Sequence, residues 1–218
     1  VQHLRCYNMS DLKVDGITAA TANTAVTIKG LGTGKVVLGD GNLVFPDADG
    51  AAGTFITTNG SAALSFSTAG KLVQRVHVHT GAVATGTTTL AHDDSIPQIT
   101  EGDEYMTLAI TPTSASNVLF IEAQGVVAST AGTTEMCMAL FQDSTAGALS
   151  AVGQLMDLAN FEKILTLRHK MAAGTTSATT FRIRIGCNTG TNTFNGKSSA
   201  RRYGGVNNSF ITITEISA

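Results

Sequence analysis

Two histidines separated by one residue, His77 and His79, have the spacing that points most directly to chemistry. Side chains two positions apart on a β-strand lie on the same face, so both imidazoles would face one way. Imidazole nitrogens are common ligands of transition metals. If three chains met on a threefold axis, the pairs would supply enough nitrogens for an octahedral site. His77 and His79 are therefore a predicted site for a transition-metal ion on that axis, and a polar pair on a solvated strand is the alternative.

Two other stretches look like ligand-binding loops but lack required residues. A phosphate-binding loop over residues 30–35 would need glycine at position 29 and serine or threonine at position 36, where the chain has Lys29 and Val36. A calcium loop that began at residues 47–50 would need glycine at position 52, where the chain has Ala52. Both stretches are interpreted as turns.

The sequence carries no nucleophile motif of the hydrolases. No Gly-x-Ser-x-Gly occurs, and the histidines show no spacing that links them to a serine or cysteine. Glycosidases use two carboxylates. The local candidates surround Pro97, in what is interpreted as a solvated loop: Asp93, Asp94, Glu101, Asp103 and Glu104. The protein is therefore predicted not to be an enzyme.

Composition favours a sheet-rich protein. Charged residues are 14% of the chain, against roughly 25% in ordinary soluble domains, and 23 of the 218 residues are glycine. The net charge of −2 gives no electrostatic reason to expect nucleic acid or an anionic membrane as a partner. No apolar run is long enough for a transmembrane helix, so membrane insertion is not expected.

The three cysteines do not have the spacing of a zinc site. Cys137 and Cys187 lie inside apolar runs that are typical of strands, and they are predicted to be buried thiols.

Residues 39–66 contain three short apolar runs, 42–45, 54–57 and 63–66, separated by Asp-Gly and Asn-Gly turn signals. None of the runs can bury a core alone, so the segment is predicted to pair with copies of itself. The sequence thus predicts an N-terminal entry and shaft segment over residues 1–70, through which copies of the chain assemble.

From about residue 70, longer runs with regular alternation predict a second domain over residues 71–218. Their spacing predicts an antiparallel β-sandwich of jelly-roll type, so the fold class is all-β. The run at 135–142 is apolar on both faces, which indicates burial on both sides or a subunit contact. Residues 147–160 allow a short helix. The predicted strands are 72–80, 87–91, 105–111, 118–128, 135–142, 163–171, 180–187, 191–194 and 209–216.

With these stretches described, the chain resembles bacteriophage tail-fibre proteins of the marine and metagenomic type. The resemblance covers most of residues 30–218. It lies in the shaft run GDGNLVFPDADGAAGTFITTNGSAALSF and in four phrases of the head, SIPQITEGDEYMTLAITPTSASNVLFIEA, ALFQDSTAGALSAV, HKMAAGTTSATTFRIRIG and GGVNNSFITITEISA. His-x-His pairs resembling residues 77–79 occur in some fibre tips.

The resemblance implies a homotrimer on the virion that attaches to the host surface. Its partners would be a host glycan or outer-membrane receptor and other tail proteins of the virion. A structural virion component, such as a capsid decoration or a baseplate or nozzle fibre, is the alternative, and a polysaccharide-degrading tailspike is a further one. Receptor contacts are expected in loops. The candidates are Ser129, Thr134, Asp143, Ser144, Asn188, Asn192 and Asn195. A basic cluster at Lys197, Arg201, Arg202 and Tyr203 is either a contact for acidic sugars or phosphate, or solvated surface.

Overall fold

The computed structural model describes residues 37–38, 43–44, 50–51, 54–58, 64–67 and 70–218. The described part is almost entirely β, with one short 3-10 turn at Tyr203–Gly205. The strands are β1 (Val37–Leu38), β2 (Leu43–Val44), β3 (Phe55–Thr58), β4 (Leu64–Ser67), β5 (Leu72–Thr80), β6 (Ala84–Gly86), β7 (Asp103–Ile110), β8 (Val118–Ser129), β9 (Thr134–Gln142), β10 (Ser150–Met156), β11 (Lys163–Ala172), β12 (Thr179–Cys187), β13 (Asn192–Phe194), β14 (Gly196–Lys197), β15 (Ala200–Arg201) and β16 (Ser209–Ile216).

Two antiparallel sheets form a sandwich in the second part of the chain. In the larger sheet, β11 pairs with one edge of β8, and β16 and β13 pair with successive parts of its other edge. The sheet then continues from β16 to β5 and from β13 to β6. The smaller sheet has the order β10, β9, β12, β7. Strands therefore pair from the outside inward along the chain: β5 with β16, β7 with β12, β8 with β11, and β9 with β10. This nesting is the jelly-roll arrangement, and it confirms the predicted β-sandwich.

The core between the sheets comes from strict alternation along the strands. The larger sheet contributes inward side chains such as Ile121, Leu167 and Ile213, and the smaller sheet contributes Met138 and Ile183, all at most 4% exposed. Strand β9 is buried on both faces, as its apolar pattern predicts. Its other face forms a separate small cluster with the segment that precedes β7.

That segment, residues 87–102, is called the strap because it crosses the outer face of the smaller sheet. Leu90 of the strap packs against Cys137, Ala139 and Phe141. The approach is close enough that a Cβ on Gly186 would lie 2.6 Å from the Thr88 carbonyl oxygen. Glycine at this position is therefore what lets the strap lie directly on the sheet.

Two expectations about elements change in the structure. Residues 147–160 hold the strand β10 and no helix. Val152 and Met156 are four residues apart, a spacing that shares one face in a helix and in a strand, so the spacing cannot distinguish the two. Residues 87–91 form no strand, because the ladder between β6 and β13 ends at the pair of Gly86 with Asn192, and the chain then leaves as the strap. Cys137 and Cys187 are buried free thiols, as predicted.

The chain divides into two compact units, Val1–Ser67 and Thr68–Ala218. In the first unit, β3 and β4 form a hairpin in which Phe55 is opposite Ser67 and Thr58 is opposite Leu64. The strands β1 and β2 form a second antiparallel pair. Expected features at residues 1–35, including the glycine-rich turn, lie outside the described residues. The role of residues 1–70 as a trimeric shaft stays a prediction.

Candidate functional site

The outer faces of the two sheets differ in what covers them. The strap lies on the smaller sheet, whereas the outward side chains of the larger sheet are largely exposed. We call the outward side of β5, β16, β8 and β11 the open face. Among the described residues, the open face is a broad sheet surface that a ligand can reach, and we therefore take it as the candidate site.

The strand registers arrange the open face as a grid, since residues directly opposite in antiparallel strands point the same way. Each row crosses four strands from β5 to β11. The first row is Arg75, Thr214, Phe120 and Lys170, the second is His77, Thr212, Glu122 and Arg168, and the third is His79, Phe210, Gln124 and Thr166.

A groove of about 510 Å³ lies on this grid between β16, β8 and β11. Its walls combine an apolar surface, hydroxyl groups and charged side chains. The residues that matter for binding are Phe120, Glu122, Arg168, Lys170 and Thr214. Phe120 is 40% exposed, which is unusual for a phenylalanine in the middle of a sheet. The groove therefore presents a flat aromatic surface beside cationic and hydroxyl groups.

Positive charge predominates on the open face. Arg75, Arg168 and Lys170 face one carboxylate, that of Glu122, which lies 3.2 Å from Arg168 Nε. The Lys170 ammonium lies 5.4 Å from the centre of the Phe120 ring. Arg75 is exposed and has no ion pair or hydrogen bond within the part of the chain that the structure describes. Arg75 and Lys170 therefore have no anionic partner among the described residues and can meet an external anion.

Arginines on the covered sheet have a different use. Arg184 donates to the carbonyl oxygens of Glu101 and Gly102 at 2.8 and 2.6 Å, so it holds the strap. Arg182 makes two hydrogen bonds to the Glu104 carboxylate, at 3.1 and 3.2 Å. Among the described residues, Arg75 and Lys170 of the open face make no such hydrogen bonds.

The predicted metal ligands lie at one side of the open face, on the edge strand β5. The rings of His77 and His79 are 5.6 Å apart, and both side chains are exposed. His77 Nδ1 lies 2.8 Å from Thr212 Oγ1, which leaves Nε2 for a ligand. Within one chain, the described residues bring together no group of three metal-ligating side chains. The site on a threefold axis needs other copies, and it stays a prediction.

The seven predicted receptor contacts divide into two groups. Four are at most 4% exposed: Ser129, Thr134, Asn192 and Asn195. A side chain that is buried inside its own chain cannot contact a receptor. Asn195, for example, donates to the carbonyl oxygens of Thr80 and Ala82 and accepts from Ser209. Asp143, Ser144 and Asn188 are exposed and stay predicted contacts. The correction arises because Ser129, Thr134 and Asn192 belong to strands and not to loops, and because small polar side chains also satisfy buried backbone groups.

The acidic cluster before β7 consists mainly of residues with structural partners. Asp93 accepts hydrogen bonds from the Ser95 side chain and backbone, and these bonds lower the pKa of its carboxyl. Asp103 accepts from Thr88, and Glu104 pairs with Arg182. Of these contacts, the hydrogen bonds from Thr88 to Asp103 join the strap to the smaller sheet, whereas Asp93 is bonded within the strap and Glu104 within the sheet.

A second cavity, of about 160 Å³, lies beneath the strap. His92 Nδ1 is 2.9 Å from Glu135 Oε1, and both the His92 ring and the Cys137 sulfur approach Gly153. Burial, with the charge of Glu135, raises the pKa of the Cys137 thiol to about 11. A cysteine nucleophile needs a lowered pKa, so this cluster does not have the electrostatics of a catalytic thiol.

Sequence reasoning missed Phe120, Arg168 and Lys170 as site residues. Alternation assigns all three to the outward faces of β8 and β11. It does not show that β8 and β11 are neighbours, and only neighbouring strands bring these side chains into one groove.

No protein-family model matches this sequence, and no curated protein matches it. Solved structures give remote likenesses. A chain of infectious bursal disease virus, Gx strain, is 9% identical with a TM-score of 0.33, over 71% of this chain and 40% of that one. A chain of the VP2 subviral particle of the same virus is 8% identical, with a TM-score of 0.29 and the same coverage.

The enzymatically active domain of tailspike protein 4 from bacteriophage CBA120 is 14% identical with a TM-score of 0.25, over 59% of this chain and 20% of that one. The present chain thus corresponds to two fifths or less of the length of these three chains. The jelly-roll assignment rests on the strand order itself. Among the described residues, no helix has the length and apolar character to cross a membrane.

Proposed function

We propose that this protein is a bacteriophage tail-fibre protein that attaches the virion to saccharides of the host surface through the open face. The observation that carries the proposal is the groove of about 510 Å³ on a sheet face that the strap leaves uncovered. Its exposed aromatic ring, hydroxyl and cationic groups are of the kinds that recognise sugars. The sequence resemblance to tail-fibre heads supports the place on the virion.

Homotrimer formation is part of the proposal. Three heads on one fibre would multiply weak single-site contacts through effective concentration. No catalytic step is proposed, because Glu101, Glu104 and Asp103 serve structural contacts and the Cys137 thiol has a raised pKa.

The test uses the labelled full chain on a panel of bacterial strains. We expect binding to some strains, loss of that binding after mild periodate oxidation of surface glycans, and retention after surface proteolysis. Phe120→Ala should weaken binding about tenfold, because it removes the flat wall of the groove. Ile96→Ala is the matched control, since Ile96 is an exposed apolar residue on the strap.

Binding that survives periodate but not proteolysis would assign a protein receptor instead. A chain that binds no strain but associates with purified virion proteins would favour the structural component. Shortened polysaccharide after incubation would identify a tailspike activity.

A further inference from the structure

We infer that the open face selects acidic saccharides, namely glycans that carry carboxylate groups such as uronic acids. The inference rests on the proposed attachment function and adds the substrate class. It is carried by the first row of the grid, in which two cations flank a hydroxyl and an aromatic ring.

The charge of the open face is the first step. Three fixed cations face one carboxylate, and that carboxylate is already paired with Arg168. The whole chain has a net charge of −2, so this face is opposite in sign to the molecule. Such a local excess attracts anions and repels cations.

The placement of the cations is the second step. Arg75 and Lys170 end a row that spans four strands, with Thr214 and Phe120 between them. Three strand spacings separate the two ends by about 14 Å. A chain of several sugars can span this length, with one ring against the exposed part of Phe120 and hydroxyls near Thr214. The Arg75 guanidinium has no ion pair or hydrogen bond among the described residues and suits a carboxylate, which it can bind through two parallel hydrogen bonds.

Other anionic partners fit less well. Nucleic-acid-binding domains are strongly basic overall, whereas this chain has a pI of about 6.2. An anionic membrane surface would be met by protruding apolar side chains. Phe120 instead lines the groove, with Lys170 over its ring. A saccharide chain with a few widely spaced carboxylates matches these few cations better than a nucleic acid or a membrane surface does.

The experiment measures binding of the full chain to immobilised bacterial capsular and lipopolysaccharide glycans. Half of the panel contains uronic or nonulosonic acids, half is neutral, and each acidic glycan has a carboxyl-reduced copy. We expect binding to acidic members, a tenfold or greater loss on carboxyl reduction, and weaker binding as salt rises. The double variant Arg75→Gln/Lys170→Gln should lose a similar factor while its thermal midpoint is unchanged.

Arg202→Gln is the matched control, because Arg202 is an exposed cation outside the open face. Loss of binding in this variant alone would assign the anion site to the basic cluster at residues 197–203 and overturn the inference. Equal binding to neutral or carboxyl-reduced glycans would overturn the acidic class and leave saccharide attachment standing. Equal binding to DNA or to phosphatidylserine vesicles would show an unselective anion surface. Binding to no glycan at all would overturn the proposed function as well.

Discussion

At the scale of single residues, the carboxylate of Glu215 shows how this protein buries charge without a cation. Glu215 is fully buried in the last strand. Its oxygens accept from Gln74 Nε2 at 2.5 Å, from Asn117 Nδ2 at 2.6 Å, and from the Thr113 backbone and hydroxyl at 2.8 and 2.9 Å. Neutral donors thus replace water around the charge and tie the connection between β7 and β8 to β16.

Replacement of this carboxylate should destabilise the fold. We expect Glu215→Gln to lower the free energy of unfolding by about 2 kcal/mol, since charge-assisted hydrogen bonds are lost and one donor meets an amide nitrogen. Chemical denaturation measures the change. Glu122→Gln, at an exposed ion pair, should stay within about 0.5 kcal/mol. Equal effects of the two substitutions would contradict the structural role of Glu215.

The same carboxylate predicts an acid dependence. Burial raises the pKa of Glu215, but the hydrogen bonds from Asn117, Gln74 and Thr113 outweigh burial and lower it below its ordinary value of 4.5. A lowered folded-state pKa contributes stability above the unfolded pKa, and this stability is lost as the pH falls through the folded-state value. Thermal midpoints measured below pH 4.5 should therefore fall more steeply for the wild type than for Glu215→Gln.

Tyr105 is the corresponding case for a raised pKa. Its hydroxyl donates a short hydrogen bond to Asn192 Oδ1, and its ring stacks on Phe194 at 4.7 Å. Burial and then the charge of Asp103 raise the pKa of Tyr105 well above its ordinary value of 10.0. Its contribution to stability is complete below that value and is lost as the pH rises above it.

Absorbance titration of the tyrosinate band should show this difference. We expect Tyr105→Phe to leave the amplitude near pH 10 in the folded protein unchanged and to cost about 1–2 kcal/mol of stability, because buried Asn192 loses its donor. Tyr203 is 75% exposed, so Tyr203→Phe should change the stability little. Normal titration of Tyr105 in the folded protein would contradict its buried environment.

At the scale of elements, the strap makes the two sheet faces unequal. It lies on the smaller sheet through apolar contacts of Leu90 and through the backbone hydrogen bonds of Ile99 to Ala146 and Ala148 to Pro97. The larger sheet keeps most outward residues of β5 and β11 exposed and carries the groove. The position of one loop thus determines which face is available for binding.

The contact between the strap and the sheet can be tested at Gly186. We expect Gly186→Ala to displace the strap, because the new Cβ would lie 2.6 Å from backbone atoms of Thr88 and Leu90. Cys137 should then react faster with a thiol reagent, as mapped by mass spectrometry. Gly147→Ala should leave labelling unchanged, since its Cβ would meet only the Ile96 side chain, at 3.3 Å. Unchanged labelling of Cys137 in Gly186→Ala would argue against the strap contact.

At the scale of the whole molecule, the proposal requires three chains. A segment of short strands gains stability by pairing its exposed edges with other copies, and it otherwise presents them to aggregation. We expect the purified chain to have a solution mass near three times 22.5 kDa by light scattering. A folded monomer at micromolar concentration would contradict the trimeric fibre.

The predicted metal site also depends on the trimer, because its histidines would come from three chains. We expect natively purified protein to contain about one transition-metal ion per three chains, and His77→Gln/His79→Gln to remove it. His169→Gln is the control, because His169 alternates away from the open face on β11. Elemental analysis measures the content, and metal-free native protein would leave the histidines as polar residues of β5.

Much of this protein could be predicted from the sequence because alternation is a local property. The strands β5 and β16 have the predicted bounds, and His77 and His79 share one face of β5 as predicted. The double-faced apolar pattern of β9 likewise predicted its burial on both sides. These results follow from the two-residue period of a strand, which each segment carries by itself.

The candidate site was decided by tertiary structure. Arg75, Phe120 and Lys170 are far apart along the chain, and only the nested pairing of a jelly roll sets them in one row. The same pairing buries Asn192 and Asn195, which were predicted to contact a receptor because they were interpreted as loop residues. Sequence therefore determined which way each side chain faces, whereas strand neighbours and the course of the strap determined which faces meet solvent, because those depend on contacts between distant segments.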